Sequence, residues 1–265
     1  MDLEALCTKV CDIARETGTF IRREKDKISA EIVEVKGLHD FVTYVDKESE
    51  RMIVEQLKLL VEGAGFIAEE KTITEVGGQV YNWVIDPLDG TTNFIHGISP
   101  FAVSIALMKN DEVILGVVHE VSLHECFYAW KDSPAFLNGK IITVSKAERI
   151  SDSFISTGFP YYDFTRMDKF LESLAFFMKN SHGVRRLGSA ATDLAYVACG
   201  RFEAFYEYSL SPWDVAAGAL IVERAGGKVS DFSGHSNYIF GKEIIATSDK
   251  VYDEFLKNVK GFLSR

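Results

Sequence analysis

The chain has little cysteine, and its four thiols, Cys7, Cys11, Cys126 and Cys199, include no CxxC pair and no His/Cys cluster. That argues against zinc or redox work, and leaves buried thiols in a reducing cytoplasm as the expectation. Long apolar runs are missing too: none approaches the roughly 20 residues that a membrane span needs. The amino-terminal stretch MDLEALCTKV is acidic and amphipathic, without the basic start and apolar core of a signal peptide, so a cytoplasmic location is expected. Basic residues are in deficit, 29 against 39 acids, for a net charge of -10. Such a surface repels nucleic acid and anionic membranes, so neither is expected as a partner. An anionic small substrate requires something local that reverses the sign. There is no GxSxG elbow, and the six histidines form no evident triad, which disfavours serine chemistry. No Pro/Gly/Ser linker and no internal repeat divides the chain, so its halves are expected to pack tightly as helix and sheet layers.

What is present is an ordinary globular balance, 47% hydrophobic and 26% charged over 265 residues, long enough to bury a sizeable core. Leu3, Leu6, Val10, Ile13, Thr17 and Phe20 recur at steps of three and four and predict a long first helix. A Lys/Glu-rich connector leads to a second helix marked by Ile53, Leu57 and Leu60, with Thr43-x-x-Asp46 as its capping box. From residue 80 the period becomes that of strands. Runs at 81–85, 101–108, 113–121, 126–130 and 141–144 predict a meander of mostly antiparallel strands. The second half mixes types: helices at 166–180 and 190–199, the latter capped by Ser189 and closed by Gly200, then a strand at 202–208. A helix opened by Ser211 and Pro212 and closed by Gly226 and Gly227, a strand at 244–247 and a terminal helix from Ser248 complete the reading.

Acids recur where apolar stretches end. Phe66-Ile67-Ala68 runs into Glu69-Glu70, Trp83-Val84-Ile85 into Asp86, Asp89 follows in the turn, and Trp213-Asp214 opens a helix. Carboxylates at the edge of buried elements are costly unless paired. The immediate neighbourhoods of Asp86, Asp89 and Asp214 hold no Lys or Arg. A hard dication is the natural alternative partner, because magnesium takes oxygen ligands and keeps waters that a phosphate can replace. Asp86 and Asp89, three apart around a proline, can point at one spot, and the Leu88 carbonyl can add an oxygen. Simpler readings stand beside this one. Asp86-Pro87 and Asp89-Gly90 are turn signals. Ser211-x-x-Asp214 with Pro212 is a capping box, as Thr43-x-x-Asp46 is, and a helix start also gathers amide donors that attract anions.

In order and spacing, Glu69-Glu70, then Asp86-Pro87-Leu88-Asp89-Gly90-Thr91-Thr92-Asn93, then Trp213-Asp214 with Ala216-Ala217-Gly218 and Gly226-Gly227 resemble the inositol monophosphatase family, within the magnesium-dependent, lithium-sensitive sugar phosphatases. The resemblance covers nearly the whole chain and is of the bacterial type. It implies an α/β (mixed α+β) fold, a layered αβαβα sandwich with two mostly antiparallel or mixed sheets. One lobe, 1–145, would carry Glu69 and the Asp86–Asp89 motif, and a second, 146–265, would carry Asp214. It further implies a homodimer and two or three Mg2+ ions per site. Glu69, Asp86 and the Leu88 carbonyl would hold one ion, and Asp86, Asp89 and Asp214 a second, with a third near Glu69. Thr91 and Asp46 match the pair that activates the attacking water, with Glu69 among the catalytic residues. Lys36 and Glu70 are auxiliary candidates, Lys36 being equally a solvated connector lysine.

The charges agree with that assignment. Four carboxylates, Glu69, Asp86, Asp89 and Asp214, balance two magnesium ions, and a third ion leaves the site positive, matched to a phosphate dianion. The expected reaction is in-line displacement by water at phosphorus, without a protein nucleophile. Around the substrate the resemblance places Asp89, Gly90, Thr91, Gly188, Ser189, Ala190 and Asp214, with Glu207 holding a sugar hydroxyl and Tyr208 beside it. Alone, Glu207 reads as a strand-end acid, and His96 as structural or rim-forming. Asp-Gly-Thr-Thr favours a phosphorylated polyol such as a myo-inositol monophosphate over nucleotide or histidinol phosphates; fructose 1,6-bisphosphate is the nearest alternative. Ala68 departs from the glycine often found there, and Ser211-Pro212 from the His-Cys of animal members. A protein that binds metal without turnover is the rival of a different class, opposed by the presence of both Thr91 and Asp46.

Overall fold

The computed structural model describes residues 1–25, 27, 34–37, 40–72, 78–160 and 162–263, and of residues 34–37 and 40–42 the backbone alone. Helix α1 (Leu3–Lys25) is followed by a hairpin, β1 (Glu34–Gly37) and β2 (Asp40–Val42), and by helix α2 (Tyr44–Leu57). Then come β3 (Gly65–Ala68), β4 (Tyr81–Asp89), the short helix α3 (Thr91–Ile95), β5 (Ala102–Lys109), β6 (Glu112–Glu120), β7 (Glu125–Trp130), β8 (Ala135–Leu137) and β9 (Lys140–Ile142). The second half runs β10 (Phe154–Thr157), α4 (Met167–Asn180), β11 (Gly183–Arg185), α5 (Ala190–Ala198), β12 (Ala204–Tyr208), α6 (Pro212–Arg224), β13 (Lys228–Ser230), β14 (Glu243–Thr247) and α7 (Tyr252–Leu263).

Among the described residues β3 to β9 form a seven-stranded sheet in sequence order, and β11-β10-β12-β14-β13 a five-stranded one. Only the β3–β4 pair of the large sheet is parallel; the rest is the expected antiparallel meander. Alternation along β4 and β5 divides the core. Trp83, Ile85, Val103, Ile105 and Leu107 face α1 and α2, while Val84, Ala102, Ala106 and Met108 face α5 and α6. The smaller sheet presents Phe205, Ile244 and Ala246 to those same two helices, and Ala204, Tyr206 and Ile245 to α4 and α7. The layers are therefore helix, sheet, helix, sheet, helix, an αβαβα sandwich. Because helices cover both faces, β5 is buried along all but its last residue and reads as a continuous apolar run.

Local chemistry explains most boundaries. Helix α1 continues past Phe20 to Lys25, with Glu4 in its first turn and Arg22, Arg23 and Lys25 in its last, the polarity a helix dipole prefers. Its Cys7 and Cys11 are buried, Cys11 meets both Cys7 and Cys126 of β7, and all three thiols are core residues. The short strands β8, β10, β11 and β13 span three or four residues each, too few for a period to show in sequence. The predicted strand at 141–144 is cut to Lys140–Ile142, the stretch that pairs with β8. The terminal helix starts at Tyr252 rather than Ser248, after a single 3-10 turn at Asp249–Val251. No described helix is long and apolar enough to cross a membrane.

Candidate active site

A regular strand points residues three apart to opposite faces. Strand β4 is not regular at its end: Asp86 pairs with Ser104 and Asp89 with Ala102, so three steps on β4 match two on β5. The extra residue makes a bulge, where Pro87 has no ladder hydrogen bond to give. The Leu88 N–H instead donates to Asp86 Oδ1 at 2.9 Å. The bulge turns both acids to one side, and one oxygen each from Asp86, Asp89 and Asp214 lie within 4.8 Å of one another.

Two helix starts complete the cluster. Asp214 caps α6, accepting from the Ser211 N–H at 2.7 Å through Oδ2. A carboxylate has two oxygens, so the cap and ligand readings of Asp214 are compatible. The Ser104 hydroxyl donates to the Trp213 carbonyl at 3.1 Å and ties this helix start to β5. At α5, the Ser189 hydroxyl and the Ala191 N–H donate to Asp89 Oδ2 at 2.6 and 2.8 Å, so the anion at this helix start belongs to the protein. Parallel pairing of Ala68 with Ile85 sets Glu69 beside Asp86, to which it is hydrogen-bonded. The next N–H, of Glu70, donates to Glu50 Oε2 at 2.7 Å, and Glu50 Oε1 accepts from both the N–H and hydroxyl of Thr72 at 2.7 Å.

Burial and mutual repulsion dominate the electrostatics. Burial, then the charges of Glu69, Asp89 and Asp214, push Asp86 well above the usual carboxylate range. Asp214 is pushed up to about 7 by burial and by Asp89. Burial pushes Asp89 up to about 6, against the Ser189 hydroxyl, the Ala191 and Ala190 N–H groups and Arg186. Hard oxygen donors, buried and repelling one another, are the set that a dication such as magnesium takes, so the residues fit that ion.

Beside the cluster, the Thr91 hydroxyl lies 2.9 Å from Asp46 Oδ1 and 3.0 Å from the Leu88 carbonyl. Asp46 is buried at the start of α2, where its Oδ2 accepts from the Thr43 N–H at 2.8 Å and hydroxyl at 2.6 Å. Burial raises its proton affinity, and these hydrogen bonds oppose that. Gly90, at φ 92°, turns the chain from β4 into α3, and a Cβ there would sit 3.1 Å from the Pro100 carbonyl and 3.2 Å from that of Gly188. Asn93 staples the same approach, donating to the carbonyls of Pro100 at 2.7 Å and Leu187 at 2.8 Å.

These groups line one cavity of about 510 Å³, to which Glu69, Glu70, Leu88, Gly90, Thr91, Gly188, Ser189, Ala190 and Glu207 all contribute with the three clustered acids. Asp46 reaches it through Thr91. Tyr208 also lines it, whereas His96 is exposed and outside the lining. Lys36 lies on β1, but its side chain is outside the described residues. Asp89 has no basic neighbour along the chain, but Arg186, distant in sequence, acts on it through space. Sequence reading missed Arg186, Glu50, Asp193 and Gly158. Glu50 stands one helical turn after Asp46 on α2 and could have been found from that spacing.

The chain is 37% identical over 264 residues to an inositol-1-monophosphatase of Mesorhizobium japonicum, covering 100% of this chain and 99% of that one. It is 43% identical over 223 residues to a fructose-1,6-bisphosphatase/inositol-1-monophosphatase of Thermotoga maritima, covering 84% of each. It is also 39% identical over 251 residues to the Nus factor SuhB of Escherichia coli, covering 95% and 94%. The crystal structure of the extragenic suppressor protein suhB from Bartonella henselae superposes with a TM-score of 0.92 at 36% identity, over 98% of this chain and 100% of that one. The model of the inositol monophosphatase family, a family of phosphatases, matches residues 2–261, and the chain belongs to that family.

Proposed function

We propose that the protein is a magnesium-dependent phosphomonoesterase that hydrolyses myo-inositol monophosphate, or a closely related polyol phosphate, to the polyol and inorganic phosphate. The observation that carries this reading is the hydrogen bond from Thr91 to the buried Asp46, set beside three carboxylates gathered within 4.8 Å. Binding a cation requires only the carboxylates. A threonine hydroxyl aimed by a second buried acid suits proton movement.

Glu69, Asp86, Asp89, Asp214 and the Leu88 carbonyl are the groups that would hold the ions. When bound, magnesium supplies the positive charge that draws phosphate into an acidic cavity and offsets charge on the oxygens entering and leaving phosphorus. The chain's own contribution is positional. Thr91 has one hydroxyl proton; directed to Asp46 Oδ1, it leaves the Thr91 lone pairs to accept a hydrogen from water. As the water attacks, its proton passes to Thr91 Oγ1 while that of Thr91 passes to Asp46 Oδ1; the phosphorus–oxygen ester bond breaks, and the polyol oxygen leaves with a proton taken from solvent. Thr43 holds the other Asp46 oxygen and so fixes the direction of the relay. In the same cavity, Glu207 accepts a hydrogen bond from a hydroxyl of the polyol. A cytoplasmic homodimer completes the reading.

The Thermotoga maritima relative's name favours one second reading, the same chemistry on fructose 1,6-bisphosphate. A panel of sugar and polyol phosphates, assayed for phosphate release with and without magnesium, tests both. Faster release from an inositol monophosphate, dependent on magnesium and abolished by Asp86→Asn, is expected. Preference for fructose 1,6-bisphosphate would reject the first choice. No release from any substrate would leave a protein that binds metal without turnover.

A further inference from the structure

The cavity has an acidic wall that the chemistry above leaves unused. Asp193, in the first turn of α5, is 1% exposed yet lines the cavity. Its Oδ1 has no hydrogen-bond partner among the described residues. A buried carboxyl is costly unless its hydrogen-bond capacity is filled, and the one Ser156 hydroxyl beside it fills only part, so its place in the cavity wall points to a further donor that arrives from outside. Glu207, on β12, lines the same cavity, and Asp193 is the foremost charge acting on it. The Glu207 carboxyl lies in a notch over Gly158, where a Cβ would fall 1.9 Å from its Cδ. That notch holds the Glu207 carboxyl in place before any ligand enters.

Three classes of ligand compete for such a pair. A phosphate is repelled by two acids. A cation is disfavoured because Arg186 acts on both of them, and because the oxygens that converge as a metal set, among the described residues, are those of Asp86, Asp89 and Asp214. Hydroxyl groups donate to carboxylates without bringing charge, and a polyol carries them on adjacent carbons. We propose that Asp193 is a specificity-determining residue, its carboxyl and that of Glu207 accepting hydrogen bonds from neighbouring hydroxyls of the polyol ring. Burial pushes Asp193 well above the usual carboxylate range, against the Ser156 hydroxyl and Arg186 and with Asp89 acting in the same direction.

The inference rests on the phosphatase reading, and its test separates the two. Full-length wild type, Asp193→Asn and Asp193→Leu are compared with magnesium on myo-inositol 1-phosphate and on p-nitrophenyl phosphate, which has no hydroxyl to offer. In Asp193→Leu the ratio of kcat/KM for the polyol to that for the aryl phosphate should fall about tenfold or more, mainly through KM, with a smaller fall in Asp193→Asn, whose amide oxygen still accepts. Melting temperatures should hold or rise, since a buried acid that repels Glu207 has gone. An unchanged ratio, or equal losses on both substrates with a lower melting temperature, overturns the proposal. Free myo-inositol supplies a readout independent of turnover: it should raise the melting temperature of wild type and not that of Asp193→Leu. Equal protection of both refutes the role of Asp193, whereas wild type inactive on both substrates refutes the phosphatase reading.

Discussion

Metal-free protein should become less stable as pH rises from 5 to 8, the reverse of what a protein rich in salt-bridged acids does. A carboxyl whose proton affinity is higher folded than unfolded binds more protons in the native state, so stability declines as pH climbs between its two values. Asp89 rises from 3.8 to about 6 and Asp214 from 3.8 to about 7. Above pH 5 the part still to be lost is about 1 kcal/mol at Asp89 and about 3 kcal/mol at Asp214. The two charges interact, so their combined effect belongs to the pair. Asp86, Asp193 and Glu207 act in the same direction. For a chain of this size the melting temperature in chelator should be on the order of 10 °C lower at pH 8 than at pH 5. Magnesium should restore most of that at pH 8 and little at pH 5, where protons compete for the same oxygens. Asp214→Asn should flatten the pH slope. Scanning calorimetry across that range, with and without magnesium, is the assay. A metal-free melting temperature equal or higher at pH 8 would refute the picture of buried, mutually repelling acids.

Three further outcomes are expected. Thr91→Val should lower kcat about a hundredfold or more while leaving the magnesium-induced shift in melting temperature intact, because it removes the water's partner and no ligand side chain; loss of both together would assign Thr91 to metal binding. Glu50→Ala removes the acceptor for three donors in the Glu70–Thr72 turn and should destabilise by about 3 kcal/mol in denaturant titrations, with weaker magnesium binding through the displaced Glu69. Gly158→Ala forces the Glu207 carboxyl out of its notch and should raise KM for a polyol phosphate more than for p-nitrophenyl phosphate; parallel changes would show a general disturbance instead.

The helices and the meander were legible because their signals are local. Helix α2 begins at the Thr43–Asp46 capping box that the spacing predicts, and α5 at Ser189. Three-residue strands were not legible, since pairing rather than pattern creates them: β8 exists because Phe136 and Leu137 meet Tyr128 and Phe127. At the site, the identity of the acids could be read, along with the compatibility of capping and clustering at Asp214. The means by which Asp86 and Asp89 share a side could not, because a bulge is defined against a partner strand.

The sequence by itself determined the available chemistry: hard oxygen donors at strand and helix ends, and no competing nucleophilic motif. Donor type and capping pattern are properties of neighbouring residues, so they survive without coordinates. Tertiary structure alone decided convergence. It set Glu69 against Asp86 through a parallel pairing, brought Arg186 and Asp193 to the wall of the cavity, and clamped the Glu69–Glu70 turn with Glu50. Those contacts depend on strand register and on how α2, α5 and α6 dock, which no local stretch of chain encodes.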